Sequence, residues 1–234
     1  TATACCTIWR GNCARVPGMN PSIAWAACAL SLLILAGYEF RAHTLGKHSP
    51  ERVARYANAR VRMHWVTALS AQPGFEIVAV QALRNSLMSA TISGSTAALA
   101  AMGAVTLAGS SLMADLPHIN AGGSTSLHTV LKGLLVLNLF ASYVCSAMAM
   151  RYYGHASFIM SMPVASPDRQ ALNPMAANHV HRAGLLYSWG LRLFLMVAPL
   201  VAGVVHPLAM PPVTLLLLVA LHFFDQPAAC VEMD

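Results

Sequence analysis

The stretch Leu127–Met150, LHTVLKGLLVLNLFASYVCSAMAM, decides how this chain folds. Its 24 residues carry a single formal charge, Lys132, and Arg151 follows at once. As a helix rising about 1.5 Å per residue it is long enough for the roughly 30 Å of hydrocarbon in a bilayer. Lys132 lies close enough to one end to extend its ammonium toward the interface.

The rest of the chain repeats that texture. Apolar residues make up 57% of the 234 positions and charged residues 9%, against roughly 25% charged in a soluble domain. The apolar residues come in blocks at about 22–38, 87–113, 183–205 and 208–224, of which the last is the shortest. Together with 127–150 they predict an all-α integral membrane bundle of about five transmembrane helices. Residues 19–234 are expected to form a single transmembrane domain. Residues 1–18 show neither helical pattern nor signal peptide and are expected to be a disordered extension or an artefact, with Met19 as the natural start.

The connecting segments differ in charge. Between 41 and 72 lie six Lys or Arg, and between 151 and 182 three, whereas 114–126 and 206–212 contain none. By the positive-inside rule the two basic segments are cytoplasmic, so the chain starts outside and ends inside, as expected for a bacterial inner membrane. Ser49, Pro50 and Glu51 supply a cap, a first-position proline and an acidic first turn, so a helix starts there. Val53, Tyr56, Met63 and Val66 alternate with Arg52, Arg55, Arg60 and Arg62 along it. Two readings stay open: a basic amphipathic helix at the lipid head groups, or a charged face packed on its own protein. Pro73 and Gly74 end this segment, and a new helix begins near Phe75. Asn173-Pro174 repeats the cap-then-proline signal and is expected to start the fourth crossing helix.

The net charge of +6 does not indicate nucleic-acid binding, because the basic residues flank apolar blocks instead of forming a groove with interleaved aromatics. Cys28 and Cys145 lie inside apolar spans and are expected to be small packing residues; Cys5, Cys6, Cys13 and Cys230 lie in the tails. No phosphate-binding glycine loop, nucleophile elbow or HExxH run occurs, so nothing argues for an enzyme.

A family resemblance rests on four stretches. Val80-Gln81-Ala82-Leu83-Arg84-Asn85-Ser86-Leu87-Met88-Ser89-Ala90-Thr91 is the first, and Arg151-Tyr152-Tyr153-Gly154-His155-Ala156-Ser157-Phe158 the second. The third runs from Arg182-Ala183-Gly184 through Gly190-Leu191-Arg192 to Pro199-Leu200, and the last is Leu221-His222-Phe223-Phe224-Asp225. In this order, over about residues 20–225, the chain resembles the uncharacterised membrane family called domain of unknown function 599, found in bacteria and plants. The resemblance implies a multi-helix membrane fold and imports no activity.

Arg192 is the most informative single residue. It lies nine residues past Ala183, about 13 Å into the bilayer, where an arginine costs roughly 2.5–3.5 kcal/mol unless it faces protein or water. It therefore needs a partner, as substrate contact or as structural brace. Gln81, Arg84 and Asn85 at the entrance of the second crossing, and His181, Ser188 and Arg192 on the fourth, form two polar stripes with the geometry to meet. Glu76 and Asp225 are the expected carboxylate partners of Arg84 or Arg182. Asn138 sits mid-membrane in the third crossing, where an amide typically bonds helix to helix. The small residues Ser89–Ala98 are expected to be buried against neighbouring helices.

Among the ten histidines, His118, His128 and His206 are the candidate external metal ligands, although no spacing matches a known ligand set. No histidine pair sits at the depth a haem would need. No cofactor is identified beyond structural lipid. The expected partners are the bilayer and either further copies or other membrane subunits. Two functions compete: a small oligomeric channel or transporter lined by Arg192, Arg84 and Asn138, and a structural or accessory subunit of a larger membrane complex.

Overall fold

A computed structural model of the chain describes residues 20–48, 54–120 and 126–226, with the side chains of 47 and 110–120 outside that description. The elements are α1 (Pro21–His48), α2 (Ala54–Ser70), α3 (Glu76–Asn120), α4 (Leu127–Met160), α5 (Pro167–Leu195), α6 (Val197–Val205), a 3-10 turn (Pro207–Ala209) and α7 (Met210–Asp225). No strand occurs among the described residues. Among the described residues, five helical stretches are long and apolar enough to cross a bilayer: Pro21–Gly46, Glu76–Gly109, Leu127–Met160, Pro167–Val205 and Pro207–Asp225. This is the architecture of an integral membrane protein.

The helices overrun the limits that hydropathy alone suggests. The first continues past Tyr38 to His48, α3 extends through Asp115 to Asn120, and α4 runs beyond Arg151 to Met160. Helical hydrogen bonding does not stop where side chains become polar, because the backbone continues to satisfy itself in water as in lipid. The signal at Asn173-Pro174 is also corrected. The helix begins seven residues earlier, at Pro167 instead of Pro174, after Ser166, whose Oγ accepts from Arg169 N at 3.3 Å and whose carbonyl accepts from Gln170 N at 3.2 Å. Ser166-Pro167-Asp168 is thus the working cap, first-position proline and acidic first turn. Pro174 lies inside α5.

The α5–α6 break falls at Met196, just before Pro199, whose missing N–H leaves the Leu195 carbonyl without its helical donor. Pro211 and Pro212 occupy the first turn of α7, where absent donors cost nothing, so that helix starts earlier than a break after them implies. Gly74 carries φ +91° at the α2–α3 turn, a conformation suited to glycine. The expected helix start at 49–51 lies outside the described residues, as do Arg52 and the tail cysteines.

The chain divides into two compact units. The first comprises Thr1–Arg41, Ala98–Phe140 and Leu193–Leu221. Its core unites Cys28, Ala104, Leu131, Leu135, Leu139, Leu200 and Met210, with Leu35, Leu217 and Leu221 as a second cluster. Leu131, Leu135 and Leu139 recur every four residues and so share one face of α4. A Cβ on Gly203 would lie 3.0 Å from Met210 Sδ, which marks a close approach. Lys132, near the start of α4, is 9% exposed.

The second unit comprises Ala42–Ala97, Ala141–Arg192 and His222–Asp234. Its core joins Val66 of α2, Ala79, Leu83 and Ala90 of α3, Ala149, Tyr153, Ala156, Ile159 and Met160 of α4, and Ala176, Val180 and Ala183 of α5. Of the small residues of α3, Ala90, Gly94 and Ala97 are buried, while Ser89, Thr91, Ser95 and Thr96 are exposed. The 3.6-residue period allows only one such face to pack. A Cβ on Gly94 would meet Ser146 Cβ at 3.3 Å, so this face lies tightly on α4.

Candidate functional site

Most of the polar side chains that could carry chemistry lie in the second unit, while Asn138, His128 and His206 belong to the first. Arg192 is 6% exposed and donates from Nη2 to Asp225 Oδ1, forming an ion pair. Asp225 ends α7 four residues after buried Leu221, so both lie on one helix face. A carboxylate at a helix C-terminus faces the negative end of the macrodipole, and the guanidinium of Arg192 offsets that repulsion. Asp225 thus pairs with Arg192 and not with Arg84 or Arg182. Glu76 likewise serves elsewhere: its Oε1 accepts from Val164 N at 3.4 Å, tying the start of α3 to the turn after α4.

Gln81, Arg84 and Asn85 are exposed on α3, and their side chains make no hydrogen bond or ion pair among the described residues. The two stripes therefore do not form a shared network of bonds. On α5, His181 and Ser188 are half-buried, and His181 Nδ1 is buried without a hydrogen-bond partner among the described residues. Asn138 Nδ2 donates to the Leu193 carbonyl at 2.7 Å, next to the break at Met196, and Ser142 Oγ donates to the Gly190 carbonyl at 2.8 Å. Both bonds fasten α4 to α5 within their own units.

The arginines of α2 divide in an unexpected way. The buried positions of this helix are Arg55, Ala59 and Val66, while Val61 and Met63 are exposed. Arg55, expected at the lipid head groups, is 6% exposed, with its guanidinium carbon 4.6 Å from the Trp189 ring centre and 5.3 Å from that of Tyr56. Arginine suits such a place because its flat, weakly hydrated cation stacks on aromatic faces. Tyr56 hydrogen-bonds His43 Nδ1 at 3.0 Å. Arg62 is half-buried, and its Nη1 occupies the space a Cβ on Gly184 would take. Arg60 is exposed. The packed-face reading of α2 therefore describes Arg55 and Arg62 better than the head-group reading.

Sequence reasoning missed Arg169, which is 1% exposed. Its Nη1 donates to the carbonyls of Ile159 at 2.6 Å and Met162 at 3.3 Å, its Nε to Asn173 Oδ1 at 2.7 Å, and its Nη2 to Met160 Sδ at 2.9 Å. One side chain thus closes the C-terminus of α4, whose last carbonyls have no helical donors. The Ser166-Pro167-Asp168 signature was the available clue, since it places Arg169 in a first turn facing the preceding helix end.

His128 is half-buried at the start of α4, His206 terminates α6, and the His118 side chain lies outside the described residues. No three His, Cys, Asp or Glu side chains gather into a metal-sized group among the described residues. A cavity of about 400 Å³ lies between the end of α2 and α5, lined by Val66, Ser70, Asn173 and Pro174 among others, and none of the expected site residues lines it.

No curated protein and no solved structure matches the chain. A family model does, over residues 26–228, which is most of its length. The chain belongs to the family described as a protein of unknown function, DUF599.

Proposed function

We propose that this chain is a structural or accessory subunit of a larger membrane assembly, in which the Arg192–Asp225 pair braces two helices. The observation that carries this reading is the closure of Arg192: it is buried and bonded to a carboxylate of the same unit, so its charge is neutralised internally. A channel or transporter, the competing reading, requires Arg192 or Asn138 to face a water path. Asn138 instead spends an amide hydrogen on the Leu193 carbonyl. The surface open to a partner is the exposed face of α3 with Gln81, Arg84 and Asn85, where a second copy or another membrane subunit finds unused polar groups.

The membrane we propose is the bacterial inner membrane. The basic segments 41–72 and 151–182 support a cytoplasmic placement by their charge, with the start of the chain outside and its end inside. Structural lipid is the sole non-protein component this reading uses.

Arg192→Gln in reconstituted vesicles tests the proposal. The expected result is reduced thermal stability and assembly, with no ion or solute flux in the parent protein. A parent flux that Arg192→Gln alters while assembly is unchanged overturns it in favour of the channel.

A further inference from the structure

Two helix segments in the second unit bring four basic side chains together with no carboxylate among them. On α4, Arg151 and His155 are four residues apart and share a face; on α5, His179 and Arg182 are three apart and do the same. The faces touch. The rings of His155 and His179 lie 5.9 Å apart, centre to centre, and Tyr152 packs on the other ring contact of His179 at 5.4 Å.

Helical register places the remaining arginine. The two helices run in opposite directions, so moving from the His155–His179 contact back along α4 and forward along α5 brings Arg151 and Arg182 to nearly the same level. At about 1.5 Å per residue that level is roughly 4–6 Å from the histidine pair. Arg151, His155 and Arg182 are exposed, and His179 is half-buried with its Nδ1 lacking a hydrogen-bond partner among the described residues.

The described carboxylates of this unit are engaged or distant. Glu76 holds Val164 N, Asp225 holds Arg192, and Asp168 lies eleven residues, about three turns, before His179. Two exposed guanidinium groups thus stand at one level of the helix pair beside the exposed His155 ring and the half-buried His179 ring, without a described carboxylate bonded to them. Two guanidinium charges on neighbouring helix faces repel, and an external anion between them relieves that repulsion.

We propose that Arg151, His155, His179 and Arg182 form a binding site for a phosphate group, with Tyr152 holding the His179 ring in place. Guanidinium forks match phosphate oxygens in pairs, and imidazole N–H groups complete the donor set. Arg151 and Arg182 stand where the apolar blocks 127–150 and 183–205 end, which is the depth of lipid phosphates. The phosphate is carried by an anionic lipid or is free in solution, and the two sources are separable.

The test uses the full-length protein in mild detergent, with lipid binding followed by native mass spectrometry. The probes are phosphatidylglycerol, phosphatidylcholine and inorganic phosphate. The parent protein should retain phosphatidylglycerol in preference to phosphatidylcholine. Arg151→Gln with Arg182→Gln should weaken that retention about tenfold, the lysine pair should restore much of it, and Arg41→Gln, at another exposed arginine, should leave it unchanged. Displacement of phosphatidylglycerol by inorganic phosphate, with the same dependence on the variants, supports the site and assigns the free anion as its ligand.

Equal retention by the parent and the double variant overturns the proposal. So does an equal loss in Arg41→Gln, which would mark a diffuse basic surface. If the double variant does not fold, His155→Ala, at an exposed position, carries the same test with an expected loss of a few fold.

Discussion

Arg192 of α5 and Asp225 of α7, thirty-three residues apart in the chain, form an ion pair that removes one positive and one negative charge from the surface of the second unit. The Arg192 side chain is 7% exposed and that of Asp225 16%, so water screens neither well. Removing one partner leaves the other buried and uncompensated, whereas removing both does not.

Arg192→Gln and Asp225→Asn should each destabilise the protein by about 3 kcal/mol, and the double substitution by less than the sum. Thermal unfolding in detergent across the four-member cycle measures this. Strict additivity would mean that the contact contributes nothing to stability.

Arg169→Ala should be at least as damaging, because it takes the guanidinium from the Met162 carbonyl and Asn173 Oδ1 and leaves the Ile159 carbonyl with Met162 N as its donor. A loss of about 3 kcal/mol is expected. Arg169→Lys should recover little, since one ammonium on a flexible stem cannot reproduce a fork that reaches four acceptors. Hydrogen exchange at the end of α4 should rise in both variants. Unchanged protection there would remove Arg169 from its place as the closure of that helix.

Gly190→Ala and Gly37→Ala form a contrasting pair. A Cβ at Gly190 meets Ser146 Oγ at 3.0 Å and the Ser142 backbone carbonyl at 3.4 Å, and the carbonyl cannot move without its helix. A cost of about 1–3 kcal/mol follows. At Gly37 nothing lies within 4 Å, so alanine there should be neutral or stabilising by up to about 1 kcal/mol through its better helix propensity. Melting temperatures of the two variants should move in opposite directions, or only the first should move.

Arg55→Gln should cost about 1–2 kcal/mol, from the lost stacking on Trp189 and Tyr56. Because the cation sits over the indole, Trp189 fluorescence should change as well. With four tryptophans in the chain, the reading needs a background in which the other three are phenylalanine. Identical emission from both proteins in that background would argue that Arg55 and Trp189 are not stacked.

Five membrane-length helices are legible in the sequence because the property that defines them, an unbroken apolar run, is local. Their ends are less so. His48 and Met160 lie in polar segments, where composition loses its hold although the backbone is still helical. The need of Arg192 for a partner follows from its depth, but its identity does not. Asp225 and Glu76 are both carboxylates at helix ends, and only packing decides that the first meets Arg192 and the second meets Val164 N. Arg55 shows the same limit from the other side. An arginine beside Tyr56 reads as solvated from its neighbours in sequence, yet Trp189, far along the chain, gives it an aromatic bed.

The length of α4 has a further consequence. Its 34 residues measure about 51 Å, and even a tilt of about 40° leaves about 39 Å along the bilayer normal, well beyond the roughly 30 Å that lipid tails cover. Some two turns must therefore stand clear of the oily layer as a rigid post. A water-borne molecule can grip such a post without dissolving in fat, which gives this otherwise greasy polypeptide a firm handle for the aqueous world.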